Sequence, residues 1–226
     1  MKKVLLFVFA AVILFTSCGK IEGETDEEID TSVTINGTAY PTIKIGNLTW
    51  TAVSYNGTGG MNYNNEVAND PKVGKLYLLT EAGAVTLPSG WRLPTKDDYA
   101  ALLAAAGTVT TDTYGYQKIT SIANMKLRAT TSWTGKPGTN ELGFNAYAAG
   151  KGYLYTNPTD LVFSAKGAVV SFWTSTAGAD LKTGVGSIKT QWAVSIHNAP
   201  SYDYAELTPS ISSEAYRYSI RFVKNN

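Results

Sequence analysis

The sequence holds few of the residues that do covalent chemistry. It has one cysteine and one histidine in 226 residues. A single cysteine excludes a disulfide within the chain. A single histidine with no nucleophile signature gives no Ser/His/Asp arrangement. No His/Cys/Asp/Glu cluster has the spacing of a metal site, and there is no Asp-x-Asp-x-Asp calcium loop. No glycine-rich loop follows a strand and opens a helix, as phosphate binding requires; Gly57 to Gly60 runs into an Asn-rich loop. Asp97-Asp98 is an acid pair, but its place in a first helical turn is one the helix dipole favours. Charge is sparse, 16% of residues with a net of +1, and it is dispersed, which argues against a nucleic-acid partner. These absences set the expectation of no catalysis, no metal and no cofactor.

No apolar run is long enough to span a bilayer. The longest, Val4 to Phe15, has twelve residues and follows Lys2-Lys3, the shape of a cleavable signal. It ends Leu14-Phe15-Thr16-Ser17-Cys18, which looks like a bacterial lipoprotein signal with Cys18 as the lipidated residue of the mature chain. Residues 1–17 are then the signal peptide. Residues 18–31 are the lipidated cysteine and a tether carrying six acids against Lys20, too charged to pack a core. The acids resemble the export signal of Bacteroidetes lipoproteins sent to the outer face of the outer membrane. From Thr31 onward there are 16 basic and 12 acidic residues, about +4. Residues 32–226 suffice for one domain with a full core.

Glycine, tyrosine and tryptophan are well represented, 21, 14 and 5 residues. Val33-Thr34-Ile35 before Asn36-Gly37 predicts a strand entering a tight hairpin turn. Ile43 to Ile45 and Leu48 to Val53 alternate, with Trp50 as a core residue. Residues 56–73 read as a long loop and 74–79 as a short strand. Gly90-Trp91-Arg92-Leu93-Pro94-Thr95 joins a turn to a helix. Trp91 and Leu93 fall on one face, Pro94 bars helix before it, and Thr95 caps with Asp98 as the capping-box acid. That helix runs from Lys96 to Ala106, buries Tyr99, Leu102, Leu103 and Ala106 on one face, and stops at Gly107. A second helix is expected over 117–128. Strands are expected at 144–148, 151–155, 168–174, 189–196 and 216–223. Trp50, Trp91, Trp133 and Trp173 read mostly as core. Two early helices followed by mostly antiparallel strands make the fold class α+β.

One stretch differs in composition. His197, Asn198, Ser201, Tyr202, Asp203, Tyr204 and Glu206 crowd a loop-like segment after an apolar strand that contains Trp192. Tyrosine among short polar residues makes an adaptable contact surface at low entropy cost. A solvated hairpin with two tyrosines on its inner face accounts for the pattern equally well. The candidate ligand-binding residues are Trp192, His197, Asn198, Tyr202, Asp203, Tyr204 and Glu206.

Five segments in order resemble the Fibrobacter succinogenes major paralogous domain family. They are Ile45-Gly46-Asn47-Leu48-Thr49-Trp50, Pro88 to Thr95, Asn140 to Gly150, Phe172-Trp173-Thr174-Ser175-Thr176 and Arg221-Phe222-Val223. The resemblance spans about residues 40 to 224. It implies a C-type-lectin-like fold of the formylglycine-generating-enzyme type and, for Bacteroidetes members, a cell-surface lipoprotein. It places ligand-facing variable residues at about 177–216. The oxidase chemistry of distant relatives needs cysteines that are absent after Cys18. Many members also carry a cysteine pair, implied to be disulfide-bonded, where this chain has Leu87 and Phe222; the expectation is a buried Leu87–Phe222 contact. The function expected is a lipid-anchored surface module binding a protein or glycan, with membrane contact through the lipid. The alternative is a structural or tip subunit of a surface fimbria or lipoprotein complex.

Overall fold

The computed structural model describes residues 31–66, 70–154, 161–211 and 215–226. The signal segment, Cys18 and the tether as far as Asp30 lie outside the described residues, as does Tyr155. No described helix is long and apolar enough to cross a membrane.

The described residues open with a meander of β1 (Ser32–Ile35), β2 (Thr38–Ile45) and β3 (Leu48–Thr51). Asn36 and Gly37 both take positive φ, 48° and 80°, the conformation that a two-residue hairpin turn matched to strand twist requires. After the loop come α1 (Leu79–Gly83), β4 (Trp91–Arg92) and α2 (Lys96–Ala106). Next are β5 (Val109–Thr111), β6 (Gln117–Ile119) and α3 (Ser121–Leu127). The remainder is strand: β7 (Lys151–Leu154), β8 (Leu161–Ser164), β9 (Val169–Ala177), β10 (Leu181–Thr183), β11 (Gly186–Ile188), β12 (Thr190–His197), β13 (Ala205–Ile211), β14 (Tyr216–Arg217) and β15 (Val223–Asn225).

The strands make a sheet ordered β1-β2-β3-β15-β4, a main sheet ordered β5-β6-β13-β12-β9, a small sheet β14-β7-β8 and a separate hairpin β10-β11. Every pairing between these strands is antiparallel. The last strand, β15, sits between β3 and β4 and so ties the C-terminus to the opening meander. The result is an α+β domain dominated by antiparallel sheet.

One core cluster contains Trp50, Tyr99, Leu103, Leu127, Phe144, Phe172, Val194, Ile196 and Leu207, joining α2 and α3 to one face of the main sheet. The Trp50 ring meets Tyr99 at 5.1 Å and Phe144 at 5.6 Å, spacings at which aromatic pairs attract beyond their buried area. A second cluster holds Tyr55, Tyr77, Trp173, Tyr218, Ile220 and Phe222.

The α2 reading holds in detail. Thr95 Oγ1 accepts the Asp98 N–H, Asp98 Oδ2 accepts the Thr95 N–H at 2.6 Å, and the four expected residues are buried. Other expectations are corrected. The span 117–128 is not one helix: Gln117–Ile119 pairs with β13 as a strand, and helix begins only at Ser121. Pairing to an adjacent strand outweighs local propensity here. In 74–79 only isolated bridges form, at Leu76 and Tyr77. A third, short helix, α1, begins at Leu79, where Glu81 accepts the Leu78 N–H. Residues 144–148 are irregular apart from a bridge at Ala146, and 216–223 is broken between β14 and β15. Trp50, Trp133 and Trp173 are buried, whereas Trp91 and Leu93 are half-buried against the second cluster. Phe222 is fully buried, but Leu87 is only half-buried on that same cluster, because it lies just before the turn at the exposed Ser89-Gly90.

Candidate functional site

β12 and β13 are joined by residues 198–204, and backbone bonds close this tip tightly. The His197 N–H donates to Tyr204 O at 2.9 Å, and Ala199 and Tyr202 exchange two bonds of 3.3 and 2.9 Å around Pro200-Ser201. The Asn198 N–H donates to Ala168 O at 2.8 Å, fixing the tip to the start of β9.

Side chains pin the tip from beneath. Asn124 of α3 is fully buried and donates to His197 O at 2.8 Å and Asp203 Oδ1 at 3.1 Å. Arg128, at the end of that helix, is also fully buried. Its Nη1 lies 3.3 Å from Asp203 Oδ1 and 3.4 Å from His197 O, and its guanidinium faces the Trp133 ring at 5.4 Å. Burial pushes the Arg128 guanidinium below its ordinary value, and the Asp203 carboxylate opposes that push. The Asn198 carboxamide reaches sideways, donating to Thr134 O at 3.0 Å and Lys136 O at 2.8 Å. Gly138 is required close by, because a Cβ there would lie 2.0 Å from Arg128 O.

Tyr202 stands outward, 56% exposed, with its ring 6.1 Å from Tyr204. Tyr204 is half-buried between the His197 ring at 5.1 Å and the Lys118 ammonium at 3.3 Å. Burial, then the nearby Glu206 carboxylate, raise the Tyr204 phenol above its ordinary value. His197 Nε2 lies 3.3 Å from Glu206 Oε1 without hydrogen-bond alignment. Beside the tip is a depression of about 530 Å³, lined on one side by Thr134, Gly135 and Lys136 and on the other by Asn198, Ala199, Pro200 and Asp203.

Six of the seven candidate residues therefore meet at this end of the main sheet: His197, Asn198, Tyr202, Asp203, Tyr204 and Glu206. Trp192 does not join them. It lies five residues back along β12, about 16 Å away at strand rise, under the Lys96 ammonium at 3.7 Å and edge-on to Tyr116 at 5.9 Å. Within the group the side chains divide by role. Those of Asn198 and Asp203 are engaged inside the protein, and Tyr202 is presented outward. Sequence reasoning missed Asn124, Arg128, Lys118 and Thr134 to Lys136. The four-residue spacing of Asn124 and Arg128, which puts polar groups on one helical face, was the one local signal for them.

Chemically the tip offers hydrogen bonds and aromatic contact. Among the described residues, no three or more His, Cys, Asp or Glu are placed to hold a metal ion. No match was found among curated proteins or among solved structures. The family model of the Fibrobacter succinogenes major domain matches residues 25–224, nearly the whole chain, and the chain belongs to that family.

Proposed function

We propose that the chain is a lipid-anchored cell-surface module that binds a protein or glycan without catalysis, through the β12–β13 tip, on a C-type-lectin-like scaffold. The observation that carries this reading is Tyr202, an exposed aromatic on a turn held from below by the buried Asn124 and Arg128 and from the side by Asn198. A contact residue already fixed in place loses little entropy on binding, and tyrosine is enriched among residues that dominate interfaces. The adjacent depression supplies a concave surface beside it. The scaffold assignment is supported by the family and by β15 pairing between β3 and β4. The anchor is supported by the run from Val4 to Cys18, and an outer-membrane, outward-facing location by the acids that follow.

The test is a glycan array and a surface-protein array probed with wild type and Tyr202→Ala. The variant should lose at least about tenfold in binding to the ligand wild type selects, with thermal stability unchanged. Equal binding by both proteins would remove the tip from the function. In the producing cell, Cys18→Ala should abolish labelling by a palmitate analogue; persistent labelling would remove the anchor.

A second reading, a subunit of a fimbria or surface complex, is favoured by the β10–β11 hairpin. Leu181 and Ile188 are paired across it and exposed, and Val185 at its turn is fully exposed. Exposed apolar side chains grouped on one projection suit an assembly contact.

A further inference from the structure

We propose that the groove between the β5–β6 turn and β13 is a separate binding subsite for a neutral saccharide. The groove encloses about 270 Å³ and is lined by Thr111, Asp112, Tyr116, Gln117, Glu206 and Thr208, among others. It adjoins the tip through Glu206 and Lys118 and depends neither on the tip's role nor on the anchor.

The groove's lining carries three hydroxyls, those of Thr111, Thr208 and Tyr116, and the carboxamide of Gln117. Hydroxyls and a carboxamide both donate and accept, the same mixed capacity that a sugar's hydroxyls present.

The groove is also shaped in advance. Asp112 Oδ1 accepts the N–H groups of Tyr114 and Tyr116, each at 2.9 Å, which fixes the turn. The Tyr116 ring is braced edge-on against Trp192 at 5.9 Å, and Tyr114, 78% exposed, extends the aromatic rim at 5.7 Å. An aromatic wall beside a polar floor fits a pyranose, which has an apolar C–H face and a polar edge.

Charge argues against an ionic ligand. The two carboxylates, Asp112 and Glu206, are matched by Lys118, which sits over the Tyr204 ring, and by Lys96, which sits over the Trp192 ring. The volume lies below the roughly 300–1,000 Å³ of sites for drug-sized ligands, so one sugar ring is the matching size.

The test is a two-dimensional NMR titration of the full-length protein with the methyl glycosides of glucose, galactose, mannose and N-acetylglucosamine, each into the millimolar range and with EDTA present. At least one should give saturable shifts at the amides of Tyr116, Gln117 and Thr208. Thr208→Val and Tyr116→Ala should each weaken it by about tenfold, while Tyr202→Ala leaves it unchanged. The proposal is overturned if no glycoside shifts these amides, if shifts gather at Ala199 to Tyr204, or if Tyr202→Ala alone abolishes them. It is equally overturned if the only ligand found is an extended peptide that shifts the β5 amides as an added strand. Loss of the tip function with these shifts intact leaves the subsite standing, and the reverse leaves the tip standing.

Discussion

Arg221 is fully buried beside the Phe144 and Phe172 rings, at 4.7 and 5.4 Å, and donates to Thr51 O at 2.6 Å and Asn145 O at 2.7 Å. Burial pushes its guanidinium down to about 9, which leaves it charged at neutral pH. The charge is therefore held by carbonyl dipoles and ring faces. It serves as a rivet joining β3, the 140–150 loop and the C-terminal segment. Arg221→Ala should cost on the order of 3–5 kcal/mol, from lost volume plus two carbonyls left unpaired. Arg221→Met, which fills the space, should cost less yet remain destabilising. Urea unfolding of both variants checks this; a cost under about 1 kcal/mol for the alanine variant would show that the rivet is ornamental. The sequence displayed Arg221 as part of an Arg-Phe-Val segment but gave no hint of its partners, which lie 170 and 76 residues away. Asp203 and Asn198 were hidden in the same way. Both were visible as polar tip residues, but their inward use depends on α3 and the 134–136 loop, which no local window contains.

At the scale of elements, α2 was legible to the residue because its signals are local. Thr95, Asp98 and Gly107 lie within or beside the helix they bound. The same acid also reaches back to β4, with Asp98 Oδ1 accepting from Arg92 Nη2 at 3.0 Å. Burial raises the Asp98 carboxyl, but hydrogen bonds from Arg92 and Thr95 outweigh that and leave it below its ordinary value. A carboxyl held low in the folded state contributes stability above its unfolded value. That contribution is lost as pH falls through the lower, folded value. Asp98→Ala should therefore cost about 1–2 kcal/mol near neutral pH. Its difference from wild type should shrink below about pH 4. Thermal unfolding across pH 7 to 2 measures this, and a difference independent of pH would contradict the cap–Arg92 account. The span 117–128 misled for the opposite reason. Its apolar spacing suits a helix, yet Gln117–Ile119 is claimed by β13, with paired residues 86 to 90 positions apart in the chain. The hairpin at 36–37 and the strands β9 and β12 were legible because turn chemistry and apolar alternation are also local signals.

For the whole molecule, two aromatic-rich clusters are joined by a C-terminus that runs between them. Phe222 belongs to one and its neighbour Val223 to the other. The phenols of Tyr77, Tyr99 and Tyr218 are raised, chiefly by burial, that of Tyr218 to about 12. A phenol raised in the folded state contributes stability below its unfolded value of about 10. That stability is lost as pH rises through the folded value. These three should ionise in the same step that abolishes the near-ultraviolet circular dichroism. Complete phenolate formation with an intact tertiary signal would contradict this burial. The central claim, that the β12–β13 tip is the face the domain presents to its ligand, is tested most directly by photo-crosslinking on intact cells. The photoreactive residue p-benzoylphenylalanine is placed at Tyr202 in one strain and at Val185 in another. A discrete adduct from position 202, with none from 185, is the predicted result. Adducts from 185 with none from 202 would contradict the account and assign the partner to the β10–β11 hairpin.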